Sequence, residues 1–365
     1  MKFLPQADDT LRLDLNVVEL AFRFLPHPDP RLSPARVPHS MSGEKSNIWR
    51  IQETVPGGGE YALKVMNTKY RDPTLPDICN YLYTLRSTDG LGCCDRICLT
   101  REKCRTVETY PDLEFSVLMP WVKGTSWFDA HQNHNSTRKL SKWETLQLGR
   151  RLAEVLAGME KKSLAHCSLS PENLIVHTGT GNFSVQLVGL ENLYSPELPD
   201  RGEHGTAVGG YQHPSHLDPG RSSAADRFPG GLLIAEILGW HEARVQEGLY
   251  SVECYFAPEE LQTPNSERYR LLESAVSEHH KDLAVLLRRV WESRTESDCP
   301  PLSEWAEKLQ RIARTKIAYA WLAEREYGVV ESGKQRCWER HNLPRWLDLQ
   351  SSGDAPVSGT QRSAS

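Results

Sequence analysis

The chain has 365 residues, a formal net charge of −5 and 39% hydrophobic residues. This length and apolar content suffice for the core of one two-lobed domain or of two small domains. The slightly acidic balance does not indicate the concentrated basic surface that nucleic-acid-binding proteins use, so we expect no nucleic-acid partner.

The first residues lack the basic start and apolar run of a secretory signal peptide. Acidic side chains interrupt this segment at Asp8, Asp9, Asp14 and Glu19. The most apolar window, 230–240, contains Glu236 and is too short to cross a bilayer. We therefore expect a cytoplasmic protein that does not associate with membranes.

The chain contains nine cysteines, an odd count that does not suggest a disulfide framework and fits a reducing compartment. A group of these residues is close in sequence, namely Cys93, Cys94, Cys98 and Cys104. The group lacks the Cys-x-x-Cys pairs of a structural zinc site. Buried or unreactive thiols are the better interpretation, and we expect no metal site.

Residues 1–30 are predicted to form an irregular or partly helical leader. Two strands follow, because residues 47–51 alternate in polarity and residues 61–66 form an apolar run. The three glycines at 57–59 supply a turn between them. This combination predicts a β-hairpin.

Residues 76–86 place Ile78, Leu82 and Leu85 on one helical face. Short apolar segments at 97–99 and 115–119 predict two further strands. A sheet crossed by one helix is a small α+β unit.

From Ser141 onward the sequence pattern predicts mostly helices. Ser141 and Glu144 have the spacing of a capping box, in which each side chain satisfies a free backbone amide of the other residue. The apolar residues Leu146, Leu152, Leu156 and Met159 then recur at helical spacing. This pattern predicts a helix that packs into a core.

A loop over 165–173 and two short strands, 174–177 and 184–188, are predicted next. Residues 205–219 are rich in glycine, histidine and proline, which favours a loop. Residues 226–238 are predicted to form an apolar helix. Further helical segments are expected up to about residue 327.

Residues 166–176 read His-Cys-Ser-Leu-Ser-Pro-Glu-Asn-Leu-Ile-Val and follow the capped helix. They resemble the catalytic loop of protein kinases, in which His-Arg-Asp leads into Leu-Lys-Pro-Glu-Asn and an apolar strand. Residues 61–64, Tyr-Ala-Leu-Lys, resemble the Val-Ala-Ile-Lys strand of that family, and residues 118–124 resemble its hinge. The chain is thus similar to the serine/threonine protein kinase superfamily over about 37–313.

Other family features occur in the same order. Residues 185–191 align with the strand that ends in Asp-Phe-Gly, and residues 209–215 resemble the end of the activation segment. Asp226 falls where the family has an aspartate that braces the catalytic loop. The resemblance implies that His166 and Asp226 are structural and take no part in the chemistry.

The resemblance implies an α+β, bilobal protein-kinase-like fold. A small β-rich N-lobe with one helix would span 37–122, and a larger, mostly helical C-lobe would span 123–315. The remaining segments are an N-terminal leader at 1–36, a helical extension at 316–350 and a disordered tail at 351–365.

The family's catalytic groups are absent at the matching positions. Ser168 replaces the aspartate that accepts the substrate proton, and a serine hydroxyl is a poor base near neutral pH. Ser170 replaces a lysine near the transferred phosphate. Gly189 replaces the aspartate that holds Mg²⁺. The three positions predict a degenerate active site.

Five residues occupy positions that contact nucleotide or metal in the family, namely Lys64, Met119, Trp121, Asn173 and Glu191. Residues 76–86 contain no glutamate that could pair with Lys64. Of the family's glycine-rich loop only Gly43 remains, and Glu44 would repel phosphate. ATP binding is therefore expected to be weak or absent and Mg²⁺ binding doubtful, although Glu191 could replace the lost magnesium ligand.

These features predict a pseudokinase that acts as a regulatory or scaffolding module for another protein. The partner could bind to the cleft, to the helical surface or to the tryptophan-rich extension, which includes Trp305, Trp321, Trp338 and Trp346. Two alternatives stay open. One is an atypical serine/threonine kinase that uses Glu191 for Mg²⁺, and the other is an ATP-sensing module without turnover.

Overall fold

The structure is a computed structural model that describes residues 3–16, 18–133, 139–179, 182–199, 209–215 and 222–326, with side chains in the last helix as far as residue 318. The strands of this described part are Thr10–Asp14 (β1), Glu19–Phe24 (β2), Ser40–Ser42 (β3), Ser46–Glu53 (β4), Glu60–Met66 (β5), Ile97–Leu99 (β6), Ser116–Pro120 (β7), Thr125–Ser126 (β8), Leu174–Gly179 (β9) and Asn182–Leu187 (β10). Its α-helices are Leu75–Thr84 (α1), Thr106–Thr109 (α2), Trp127–Gln132 (α3), Lys142–Lys161 (α4), Arg227–Gly239 (α5), Ala243–Glu247 (α6), Glu267–Ser277 (α7), Lys281–Trp291 (α8) and Leu302–Glu326 (α9). The fold is mixed α+β, with an antiparallel sheet in the N-terminal part and helices in the C-terminal part.

The N-terminal sheet has the strand order β1-β2-β4-β5-β7-β6, and β3 also pairs with β4. Strands β2 and β3 share one edge of β4, because 22–24 pair with 51–53 whereas 40–42 pair with 47–49. Strands β4 and β5 are the predicted hairpin, which is confirmed. The predicted helix and strands at α1, β6 and β7 are confirmed as well.

The prediction of an irregular or partly helical leader is wrong. Strands β1 and β2 form an antiparallel hairpin within residues 1–36 and extend the sheet. The apolar side chains that alternate along these strands are buried, namely Leu11, Leu13, Phe22 and Phe24. A second helix, the short α2, also adds to the single helix predicted for this part of the chain.

The two faces of the sheet pack into different cores. Leu63, Val65 and Leu118 point into a core that the N-terminal hairpin covers. Ala62 and Met119 point into a larger core that continues into the helices. Because side chains alternate along a strand, Lys64 projects from the same face as Ala62, toward the helical part.

The helical part begins at the predicted capping box, which is confirmed. The Glu144 amide donates to Ser141 Oγ at 3.3 Å, and the Ser141 amide donates to Glu144 Oε2 at 2.8 Å. The predicted strands after the loop are β9 and β10, which pair antiparallel. Strand β8 adds a third strand to this small sheet.

Helix α5 is the predicted apolar helix, and it is buried on all sides. Its Glu236 accepts three hydrogen bonds, from Trp127 Nε1 at 2.7 Å, His131 Nε2 at 2.5 Å and Tyr211 Oη at 2.5 Å. Tyr211 belongs to a 3₁₀ turn at Gly209–Tyr211, within the segment predicted as a loop. The buried carboxylate thus holds this turn and α3 against α5.

Helix α9 continues across the boundary predicted between 315 and 316. Trp305 is buried in its first half and does not present an exposed surface. The rest of the predicted extension after residue 326 and the predicted tail at 351–365 lie outside the described residues, as do Trp338, Trp346 and the side chain of Trp321. No helix in the described part of the chain combines the length and the apolar character that crossing a bilayer requires.

Candidate functional site

The loop at 165–170 is held in place by Asp226, the residue at the start of α5. Its carboxylate does not cap the helix but accepts from the backbone amides of His166, at 2.5 Å, and of Cys167, at 3.0 Å. Cys167 has a positive φ of 60°, which turns the chain sharply at this point. Burial raises the pKa of Asp226 above its usual range, although His166 and the two amides act in the opposite direction.

The His166 ring connects this loop to the end of β10. Nδ1 accepts from the Ser168 amide at 3.2 Å, so the ring proton lies on Nε2, which donates to the Val188 carbonyl at 2.7 Å. Both nitrogens are therefore engaged by backbone groups, and the side chain is fully buried. His166 positions the loop and has no atom available for chemistry.

Ser168 lies among amide side chains rather than acids. Asn173 Nδ2 donates to the Ser168 carbonyl at 2.9 Å, and Asn192 Nδ2 donates to Ser168 Oγ at 2.8 Å. Ser170 is buried nearby. This arrangement orders the loop but supplies neither a general base nor a cation for a phosphate.

Gly189 occupies a position that favours glycine. Its φ is +73°, in the left-handed region, and a Cβ atom there would lie 2.3 Å from Asn173 Oδ1. The Asn173 amide thus fills the space beside Gly189 and at the same time bonds to Ser168. A carboxylate at position 189 would require this asparagine to move.

Glu191 lies two residues further on and is paired with two cations. Its Oε2 is 2.9 Å from Lys64 Nζ, and its Oε1 is 3.3 Å from Arg96 Nη1. The exposed fractions of the side chains are 12% for Lys64, 17% for Glu191 and 0% for Arg96. The sequence-predicted residues Lys64 and Glu191 are thus brought together, and Arg96 is a third member that the sequence did not reveal.

Arg96 is fixed by the turn that precedes β6. Its Nε donates to the Cys93 carbonyl at 2.7 Å, and its Nη2 lies 3.1 Å from Cys93 Sγ. The guanidinium therefore has several partners in a buried site, which keeps it aimed at Glu191.

The charge state of Glu191 follows from these two cations. Burial alone would raise the pKa of the Glu191 carboxyl, but Lys64 and Arg96 outweigh it and lower the pKa to about 2. Each carboxylate oxygen contacts one of the two cations, and either cation would lose its counter-ion if the carboxylate bound another ion. A magnesium ion would have to displace an ammonium or a fully buried guanidinium to reach this carboxylate.

The turn at 43–45, where the resemblance predicts a degraded glycine-rich loop, is tied to the residues after β5. The Gly43 amide donates to the Ser46 carbonyl at 2.9 Å and closes the turn. Glu44 accepts from Lys69 at 3.2 Å and from the Tyr70 hydroxyl. The turn is short and anchored, and its carboxylate is paired with a surface lysine.

Met119 and Trp121, the predicted adenine-side residues, lie at the end of β7. Met119 is buried opposite Ala62 on the face of the sheet that carries Lys64. The Trp121 ring lies 5.4 Å from the His39 ring and 5.1 Å from the Arg50 guanidinium, measured to ring centroids. Met119 therefore shares a face with Lys64, whereas Trp121 interacts with His39, just before β3, and with Arg50 of β4.

No protein-family model matches this sequence, and no curated protein matches it.

Proposed function

We propose that the chain is a protein-kinase-like fold whose catalytic site is degenerate, and that it acts as a regulatory or scaffolding module for another protein. The order of the elements supports this proposal. A lysine-bearing sheet strand, a capped helix, a loop that Asp226 braces and the β9–β10 hairpin follow one another as in the family that the sequence resembles. The chain keeps the contacts by which Asp226 orders the loop but lacks the catalytic acids. This combination is expected of a protein that binds a partner without catalysing a reaction.

The observation that carries the proposal is the pairing of Glu191 with both Lys64 and Arg96. Phosphoryl transfer requires a lysine that contacts the phosphates and an acid that holds Mg²⁺. Here Glu191 pairs with the lysine and neutralises its charge, at 2.9 Å. The remaining residues, Asn173 and Ser168, offer only neutral oxygen ligands, which bind Mg²⁺ poorly in the absence of a carboxylate.

Thermal unfolding of the purified protein with ATP, with and without Mg²⁺, tests the proposal. A ligand that binds the native state must raise the melting temperature. The wild type is compared with Lys64→Ala and with the control Lys281→Ala, which removes an exposed lysine of α8. We expect no nucleotide-dependent shift in any of the three proteins.

The other outcomes separate the alternatives. A Mg²⁺-dependent shift that Lys64→Ala abolishes and Lys281→Ala keeps would contradict the proposal and favour an atypical kinase. An ATP-dependent rise in melting temperature that does not need Mg²⁺, and that Lys64→Ala abolishes and Lys281→Ala keeps, would instead favour an ATP-sensing module.

A further inference from the structure

A second group of ionisable side chains lies far along the chain from Lys64, where the C-terminal ends of two helices meet. His241 follows the end of α5, Glu242 precedes α6, and Glu278 follows the end of α7. Within the described residues, these three bring their ligand atoms within 4.8 Å of one another. The proposed function leaves the group unexplained.

The orientation of His241 is set by the backbone. Its Nδ1 donates to the Leu238 carbonyl at 2.8 Å, and the exposed fraction of its side chain is only 7%. The ring of His279 lies 4.9 Å away and also donates to the Leu238 carbonyl. His241 Nε2 is therefore the atom that faces the two carboxylates. A backbone carbonyl that fixes the other ring nitrogen is the usual support for a metal-binding histidine.

Two of the three distances between the ligand atoms match those in a tetrahedral zinc site, and all three lie within 4.8 Å. His241 Nε2 lies 3.5 Å from Glu242 Oε1 and 3.5 Å from Glu278 Oε2, and the contact with Glu278 is a long hydrogen bond. Ligands at ~2.0–2.2 Å from a tetrahedral Zn²⁺ are separated by ~3.3–3.6 Å from one another. The two contacts of His241 thus already have the spacing that such an ion requires.

Among the surrounding charges, the ammonium group of Lys142 would compete with a metal ion for Glu278. The C-terminal ends of α5 and α7 carry partial negative charge, which favours a cation at this place. Lys142 already donates to Glu278 Oε2 at 3.0 Å, and it lowers the pKa of that carboxyl. Its side chain is partly exposed on the first turn of α4 and can turn toward solvent. Lys316 is a further cation in this neighbourhood, and burial together with the charge of Lys142 lowers its pKa.

We propose that His241, Glu242 and Glu278 form a binding site for Zn²⁺, with a fourth position open to water. The imidazole and the two carboxylates are ligands that zinc accepts. The ion would link the turn between α5 and α6 to the end of α7. Lys142 and the metal ion compete for Glu278.

Calorimetric titration of the full chain with Zn²⁺ tests this site. We expect one zinc ion per chain and a loss of affinity of at least about tenfold in His241→Ala and in Glu278→Gln. Lys142→Ala should instead raise the affinity about fivefold, because it removes the competing ammonium. His177→Ala and Glu247→Gln, at exposed positions elsewhere, serve as controls and should leave binding unchanged.

Cobalt replacement distinguishes this site from the cysteines. A Co²⁺ complex of histidine and carboxylates lacks the intense thiolate-to-metal absorption of a cysteine site. The proposal is overturned if zinc does not bind, if that absorption appears, or if His241→Ala and Glu278→Gln bind zinc like the wild type. Since Glu278 is at the surface, its variant keeps the test valid even if His241→Ala fails to fold.

Discussion

Lys64 Nζ and Glu191 Oε2 lie 2.9 Å apart although the two residues are 127 positions apart in the chain. The contact joins the N-terminal sheet to the segment after β10. Arg96 adds a second cation on the other carboxylate oxygen. The same ion group that neutralises the lysine therefore also connects two parts of the fold.

Removing the carboxylate of Glu191 should destabilise the protein. Glu191→Ala leaves Lys64 and the fully buried Arg96 without their shared anion, and breaking a buried pair from one side costs about 3 kcal/mol. Glu19→Ala, which breaks the exposed pair with Arg12, should cost less than about 1 kcal/mol. Urea denaturation of the three proteins measures the difference. Equal losses in the two variants would show that the buried group is not a stabilising contact.

The contribution of Glu191 should depend on pH. Its pKa is about 2 in the folded protein against 4.5 for an ordinary glutamate. A lowered folded-state pKa gives stability that is present above about 4.5 and is lost as the pH falls toward about 2, and the full difference is about 3 kcal/mol.

The comparison with Glu191→Gln isolates this effect from the other acids, because the variant has no charge to lose at position 191. Urea midpoints of the two proteins should differ most near neutral pH and converge as the pH falls below about 4. A difference that stays constant over this range would mean that the carboxylate does not owe its stabilising effect to its charge.

Introducing an acidic side chain at position 189 should destabilise the protein. Gly189→Asp introduces a Cβ 2.3 Å from Asn173 Oδ1 at a left-handed φ, which should cost at least about 2 kcal/mol. Gly158→Ala is the matched control, since open space surrounds that helical glycine and the change should stabilise α4 by about 0.5–1 kcal/mol.

A double variant tests the physical reason for that loss. Asn173→Ala removes the atoms that an added Cβ at position 189 would meet, so Gly189→Asp should cost less in its presence. Thermal unfolding of the two single variants and the double variant gives the coupling. Additive effects would show that the cost arises from the backbone conformation of residue 189 alone.

The brace formed by Asp226 should be sensitive to loss of charge. Asp226→Asn keeps the shape, but its NH₂ group cannot accept from the amides of His166 and Cys167, so one buried donor loses its partner at a cost of about 2–3 kcal/mol. Asp89→Asn, at a largely exposed side chain, should change stability by less than about 0.5 kcal/mol. Chemical denaturation compares the two, and a similar small effect in both would argue against the brace.

Local patterns predicted the elements that depend on neighbouring residues. The glycine turn and alternation gave the β4–β5 hairpin, and Ser141 with Glu144 gave the start of α4. Runs of apolar residues predicted β9, β10 and α5, which also depend on residues close together in the chain. In each case the determining contacts lie within a few residues of one another, where sequence spacing fixes geometry.

Contacts between distant segments were not predicted. The family resemblance predicts the acid that pairs with Lys64 within 76–86, whereas the structure supplies Glu191, which follows β10. The N-terminal hairpin was missed although Leu11 and Leu13 alternate with polar residues, because two short strands show their pattern weakly and proline-rich residues follow. Which distant segments meet depends on packing, and spacing alone does not determine it.

The shared edge of β4 has a practical consequence for shortened forms of the protein. A chain that starts at residue 37 would lose β2, and the backbone of 51–53 would be left without its partner strand. An unpaired strand edge is a template for pairing between molecules, and the missing Phe22 and Phe24 would also uncover Leu63. Such a fragment would be prone to aggregation, so a soluble shortened form has to begin before Thr10.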